Sequence, residues 1–359
     1  MESGIFHTTY QSDQGLRRTP IERWRLYIGV VFIIGFPLIF QSNNYYLLLA
    51  NQCMVAAIGA IGLNILTGYT GQISLGQGAF MAVGAYTSAT LAAYHGVYWM
   101  LAIPIGAIAA AVFGVIFGIP SLRLKGLYLA IATLAAQEIV EWFITKFNFK
   151  ALQLNGEAAA ITVPTPRITI QGVVDIRLRD NFSFYWVILI CLLVVIWFAS
   201  NLFRTKYGRA FVAIRDQDIA AEVMGVNPFR TKLLAFAISS FIVGLAGSLS
   251  AFYNARIVTW ESFTVNVSIT YLAMIIIGGL GSITGSIYGA VFMTLLPAVL
   301  TSIGQGLSTS IPGLAGVLPY IQQGVFGLVI VLFLIVESHG LARIWRNIKD
   351  YFHLWPFSY

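Results

Sequence analysis

Three sets of residues in this sequence have the types and spacing to do chemistry, and none has the pattern of an enzyme centre. Glu138 and Glu141, three apart and so on neighbouring parts of one helical face, follow Gln137 within the apolar run LYLAIATLAAQEIVEWFITKF. Carboxylates in such a run are costly and mark candidate positions for binding an ammonium group, lining a wet vestibule or carrying protons. The plainer reading is that they approach an interface and hydrogen-bond to neighbouring helices, because Trp142 and Lys146 directly follow as an interfacial anchor would.

The second set lies in two glycine-rich stretches, LTGYTGQISLGQGAF at 66–80 and IGGLGSITGSIYGA at 277–290. Gly71, Gln72, Ser74 and Gln77 in the first, and Gly281 and Ser282 in the second, join Glu138 as candidates for a solute pathway. Too many glycines for an ordinary span predict a helix break, and backbone groups freed there must be buried in protein or line a watery cavity. Gly68, Gly71 and Ser74 share their spacing with Gly278, Gly281 and Thr284, which suits an internal repeat and equally suits small-residue helix packing. The pairs Gly114/Gly118 and Gly285/Gly289 have the GxxxG spacing of close helix crossings.

The third set is a polar island, RTKYGRAFVAIRDQDIAAEVMGVNPFRTK at 204–232. Arg215, Asp216, Asp218 and Glu222 surround a small apolar strip of Ala213, Ala220, Ala221 and Met224, and Gly225 followed by Pro228 is a helix stop. A short helix with such a face suits a groove on a partner protein, and a solvated connecting loop is the alternative.

Other chemistries find no footing. No GxxxxGK[ST] phosphate loop or GxSxG elbow occurs, and Gly279, Gly281 and Gly285 follow a GxGxxxG spacing that is not the dinucleotide fingerprint. His7, His95, His339 and His353 are scattered, so no metal ligand set and no cofactor is expected. Cys53 and Cys191 lie inside apolar segments and read as small core residues.

The elements that must hold these residues follow from composition. The chain has 359 residues, 58% hydrophobic and only 10% charged, against about a quarter charged in soluble domains. It is an all-α, polytopic membrane bundle by this measure. A span needs about 20 apolar residues, and ten candidates lie near 26–40, 46–67, 72–94, 98–119, 126–147, 184–203, 232–254, 266–280, 284–303 and 321–336. With a cytoplasmic N-terminus, alternation puts Arg123, Lys125, the 204–232 cluster and the tail with Arg343, Arg346 and Lys349 on the cytoplasmic side, as the positive-inside bias requires. The net charge of +7 therefore reflects orientation and not nucleic-acid binding. The expected layout is a cytoplasmic tail at 1–25, a transmembrane domain at 26–340 and a cytoplasmic tail at 341–359. Its main outer loop, 148–183, carries VPTP and the alternating ITIQGVVDI, which predict an extended or hairpin segment.

The run DIAAEVMGVNPFRTKLLAFAIS resembles the cytoplasmic loop of permease subunits of ATP-binding cassette importers, with Ala220, Ala221 and Gly225 at the motif's positions and Ile219 where it often has Glu. From about 45 to 335 the chain is similar to the LivM-type permeases of branched-chain amino acid importers. That resemblance rests on LNILTGYTGQISLGQGAFMAVGAY at 63–86, RLKGLYLAIATLA at 123–135, YGRAFVAIRDQDIAAEVMGVN at 207–227, KLLAFAISSFIVGLAGSL at 232–249 and LAMIIIGGLGSITGSIYGA at 272–290. It implies a bacterial inner-membrane transport subunit that is not itself an enzyme. The implied partners are a second permease of LivH type, two ATP-binding subunits and a periplasmic substrate-binding protein. The 204–232 segment would then be the coupling loop, with Arg215, Asp216, Asp218, Ala220, Ala221, Glu222 and Gly225 facing the ATPase. Two rivals stand beside this reading. The same kind of importer could carry urea, short amides or aromatic acids, and an ion-coupled secondary transporter would need buried carboxylates, for which Glu138 is the candidate.

Overall fold

A computed structural model of the protein describes residues 33–41, 43–121, 126–146, 160–170, 174–177, 181–253, 257–308, 314–336, 340–344 and 347. The expected 1–25 tail, Arg123 and Lys125, and most of the C-terminal tail lie outside them, as does 148–159 of the outer loop. A helical stretch at 33–39 is what is described of the first expected span.

Eleven further helices are described: α1 (Asn44–Asn64), α2 (Gln77–Tyr94), α3 (Trp99–Ser121), α4 (Leu127–Lys146), α5 (Asn181–Leu202), α6 (Lys206–Asp216), α7 (Asp218–Val223), α8 (Pro228–Tyr253), α9 (Val265–Gly278), α10 (Ile283–Ser308) and α11 (Leu314–Val336). Six segments among the described residues are long and apolar enough to cross a membrane: Asn44–Tyr69, Trp99–Pro120, Asn181–Leu202, Pro228–Tyr253, Trp260–Gly278 and Ile283–Gly304. The expected span at 72–94 starts five residues late, at Gln77, because the glycine stretch before it is not helical.

Along part of this bundle, apolar side chains are sorted by size. Helix α3 turns Leu101, Ile105, Ile108, Val112 and Ile116 outward and buries Ala102, Ala107 and Ala110. In lipid, apolar bulk gains nothing by going inside, whereas small residues let helices approach closely enough for dispersion contacts. Helix α8 is the centre of that packing, lying against α1, α2 and α3. A Cβ on Gly84 would strike the backbone of Gly244, one on Gly247 would strike the backbone of Met81, and one on Gly244 would strike Ala110. Ser248 adds a hydroxyl bond to the Gly84 carbonyl (2.9 Å). The GxxxG pairs pack too: Gly114 and Gly118 face α8, while Gly285 and Gly289 of α10 meet the backbone of α9.

Polar structure gathers at both ends. Strands β2 (Arg167–Ile170) and β3 (Val174–Arg177) form an antiparallel hairpin with Ile168 opposite Ile176, as the alternating pattern predicts. The two-residue strands β1 (Ile161–Thr162) and β4 (Ile257–Val258) also pair, tying the outer loop to the chain after α8. At the other end, α6 and α7 form a short hairpin between α5 and α8. A single short helix stopping at Gly225 was expected, but Gln217 is extended (φ −159°, ψ 106°) and divides it. The division lets α6 bury Phe211 and Ile214 while α7 buries only Ala221, and it starts α7 with Asp218, an acid well placed at a helix N-terminus.

Close backbone packing should be intolerant of added bulk. Gly247→Leu is expected to destabilise the fold by about 3 kcal/mol, the upper end for overpacked cores, in denaturant unfolding from mixed micelles. Gly324→Leu, with no atom within 4 Å of its added Cβ, should leave the midpoint unchanged, and equal effects would refute the packing assignment.

Candidate functional site

Helix α1 does not simply end. It passes into a π-helical turn, Ile65–Tyr69, and the chain then runs without helix from Gly71 to Gly76 before α2 begins. Gly71 (φ +71°) makes the reversal, a conformation closed to most side chains. The break is stitched locally: the Gln72 N–H donates to the Leu66 carbonyl (3.1 Å), and the Thr67 and Thr70 hydroxyls donate to the Gln72 and Leu66 carbonyls.

Because α2 starts inside the bundle, its first N–H groups need partners that lipid cannot supply. Side chains from two other helices provide them. Ser268 Oγ of α9 accepts from the Gly78 N–H (2.8 Å), and Gln137 Oε1 of α4 accepts from the Ala79 N–H. Gln137 Nε2 donates onward to the Phe263 carbonyl (2.6 Å). Thr133, one turn before Gln137, accepts from the Leu75 N–H (2.9 Å). Gln137 lies ten residues along α4, about 15 Å at the usual helical rise, so this knot sits halfway along that helix.

Asn64 joins the two glycine stretches. Its Nδ2 donates to the Ser282 carbonyl (2.9 Å) and Ser286 Oγ (2.7 Å), and its Oδ1 accepts from the Gly281 N–H (3.0 Å). Gly68 is obligatory here, since a Cβ would collide with Asn64 Oδ1 and the Gly281 nitrogen. Arg215, at the end of α6, lies across the same crossing. Its Nη1 donates to the Gly68 carbonyl (3.1 Å), its stem covers Gly71, and its guanidinium also pairs with Asp216 (2.9 Å). Lys232 at the start of α8 pairs with Asp218 (2.6 Å), and Tyr69 stacks on Phe203. The α6–α7 hairpin is thus bonded to the broken helix at one point and to α8 at another.

The candidate residues sort accordingly. Gly71 and Gln72 border a cavity of about 380 Å³ beneath the hairpin, together with Arg215, Asp216, Asp218 and Lys232. Ser74 and Gln77 are buried, with Ser74 Oγ accepting from the Gly76 N–H (3.3 Å) and Gln77 Nε2 donating to the Gly59 carbonyl (3.0 Å). Gly281 and Ser282 stand at the Asn64 crossing. Glu138 is exposed on α4 and is not brought to the break, whereas its neighbour Gln137 is. Ala221 is buried, Ala220, Glu222 and Gly225 are exposed, and Gly225 turns the chain at φ +85°. Among the functional positions that sequence reasoning missed are Asn64, Thr133 and Ser268, whose signal was a lone polar residue inside an apolar helix. A second cavity, about 250 Å³, lies toward the opposite end between α1, α8 and α9, bordered by Gln52, Met81, Tyr253, Phe263 and Tyr271.

A membrane-spanning bundle with a discontinuous helix buried inside it and a charged hairpin bonded to it has the form of a transport subunit. The comparisons are specific: residues 45–334 match the family described as branched-chain amino acid transport system / permease component, and the chain belongs to that family. It is 32% identical over 290 residues to the high-affinity branched-chain amino acid transport system permease protein LivM of Salmonella typhimurium, covering 76% of this chain and 67% of that protein. The Escherichia coli LivM gives 32% over 291 residues with the same shares. A probable LivH permease of Methanocaldococcus jannaschii is 27% identical over 301 residues, 81% of this chain and 89% of that one.

Asn64→Leu should remove three bonds at once and leave the Gly281 N–H without its side-chain acceptor, at about 2–3 kcal/mol. Denaturant unfolding checks this, and a stability loss under about 0.5 kcal/mol, the size of an ordinary surface change, would show that the crossing holds without Asn64.

Proposed function

We propose that the chain is a transmembrane subunit of an ATP-driven importer for branched-chain or other neutral hydrophobic amino acids. It works with a second permease of LivH type, two ATP-binding subunits and an external substrate-binding protein, in a bacterial inner membrane. On this reading about ten spans fill residues 26–340, both tails are cytoplasmic, 148–183 faces outward and 204–232 faces the ATPases. The named LivM relatives support the cargo class, and so does the smaller cavity, whose wall of Val55, Met81 and Phe263 with two tyrosines suits a small apolar side chain.

The observation that carries the mechanism is the tip of the hairpin. Ile219 and Val223, on a helix of six residues that buries only Ala221, and Met224 just after it are 73%, 82% and 84% exposed. An apolar knob braced by the Lys232–Asp218 pair is built to enter a partner's groove. A push on it reaches the broken helix through Arg215 and the Gly68 carbonyl, so closure of the ATP-binding subunits would shift the bundle between outward- and inward-open states. An ion-coupled transporter would use a buried carboxylate, and Glu138 is exposed.

Val223→Asp with Met224→Asp is expected to cut co-purification of the ATP-binding subunits and lower uptake at least tenfold, with normal membrane insertion. Gly225→Pro, at a φ that proline cannot adopt, and charge reversal at Arg215 with Asp218 should uncouple ATP hydrolysis from uptake. Wild-type uptake in these variants would refute the coupling role.

A further inference from the structure

The 380 Å³ cavity beneath the hairpin has a feature that the coupling role does not use. Gln72 is 4% exposed, yet neither its Oε1 nor its Nε2 has a hydrogen-bond partner among the described residues. The other amides of the break, Asn64, Gln77 and Gln137, are all bonded. A buried polar group left unpaired costs about 1–3 kcal/mol, and replacing Gln72 by an apolar residue of similar shape would avoid that cost. Retaining an amide there suits a ligand that supplies the missing donor and acceptor.

The rest of the wall says which ligand. Among the described residues of the lining, Arg215 and Lys232 contribute two positive charges and Asp216 and Asp218 two negative ones, so that described charge is formally neutral while presenting both signs. A singly charged ion would find as much repulsion as attraction, whereas a dipolar molecule can place each end against its opposite. Leu129 and Ile214 add an apolar patch on the same wall. The volume is at the small end of ligand clefts, which run from about 300 to 1,000 Å³.

We propose that this cavity is a binding site for a small zwitterion with an apolar side chain, a free amino acid, entering from the side that the hairpin faces. The Gln72 Nε2 and the basic side chains take the carboxylate, Gln72 Oε1 and the aspartates take the ammonium, and Leu129 and Ile214 receive the side chain. One wall belongs to the broken helix and the start of α4 and the other to the hairpin and the start of α8, so a ligand spanning them resists their relative movement. Occupancy therefore slows the transport cycle when the solute has accumulated on that side. This rests on the proposed function for the identity of the amino acid, though not for the site itself.

The test uses the assembled complex, purified without its external binding protein, in equilibrium dialysis against radiolabelled L-leucine. Saturable binding is expected, with isovalerate and isopentylamine, which carry one charge each, competing at least tenfold more weakly. Gln72→Leu should lose at least tenfold in affinity while assembling with an unchanged or higher melting temperature. Equal competition by either singly charged analogue in the wild type refutes the zwitterion site whatever the variant does, and so does undiminished affinity in Gln72→Leu. In proteoliposomes supplied with the binding protein, millimolar leucine on the hairpin side should slow wild-type uptake at least threefold and Gln72→Leu uptake in smaller proportion. Normal branched-chain amino acid uptake with no dialysis binding sinks the site alone. Dialysis binding without such uptake in the wild type sinks the proposed function and leaves the site standing.

Discussion

Inside a bilayer no water is available to pair a free backbone amide, so a helix that begins buried within a membrane bundle must be capped by its neighbours. Much else here depends on that requirement. Helix α2 starts at Gln77, and its first N–H groups are taken up by Ser268 and Gln137, with Thr133 serving the turn before. These groups come from α4 and α9, which pack on α2 only as minor neighbours beside the α2–α3–α8 core. The break therefore binds the peripheral helices to the centre more firmly than their modest apolar contact would.

The same logic links the hairpin to the bundle. A carbonyl freed at the π turn, that of Gly68, is taken by an arginine on the polar helix α6, so the Arg215 guanidinium completes the backbone of the broken helix. Its neighbour Asp216 holds the guanidinium from the solvent side, and Asn64 fixes the glycine stretches from below. A movement of α6 cannot leave the break unchanged without orphaning that carbonyl. Local hydrogen bonding is in this way a mechanical connection.

Much of the architecture was legible in the sequence. Most helical segments fall within a few residues of the apolar runs, although α11 begins at Leu314, seven residues before the run expected at 321–336, and the β2–β3 hairpin lies where ITIQGVVDI alternates. The glycine stretches marked the break correctly, since positive φ at Gly71 and Gly281 is a backbone property that residue type encodes. What was not legible depends on distance along the chain. Asn64 meets Ser282 and Gln137 meets Phe263 across 218 and 126 positions, and no local pattern names such partners. Glu138 drew attention because a charge in an apolar run is conspicuous, while the neutral Gln137 beside it holds the structural position. The division of the hairpin at Gln217 was also hidden, because both halves have helix-forming composition and only the burial of Phe211, Ile214 and Ala221 on different surfaces requires the bend.

The glycine contacts of α8 have a consequence for where the protein can flex. Gly244 and Gly247 make the closest of these approaches, and a one-residue slip would put Val243 or Leu245 in the place of Gly244 and Ala246 or Ser248 in the place of Gly247, driving a Cβ into each contact. Such a surface behaves like a keyed joint, which admits no sliding. Helices α2, α3 and α8 consequently form one stiff body, and the compliance of the molecule is left to the seams around it, where polar bonds can be exchanged one at a time.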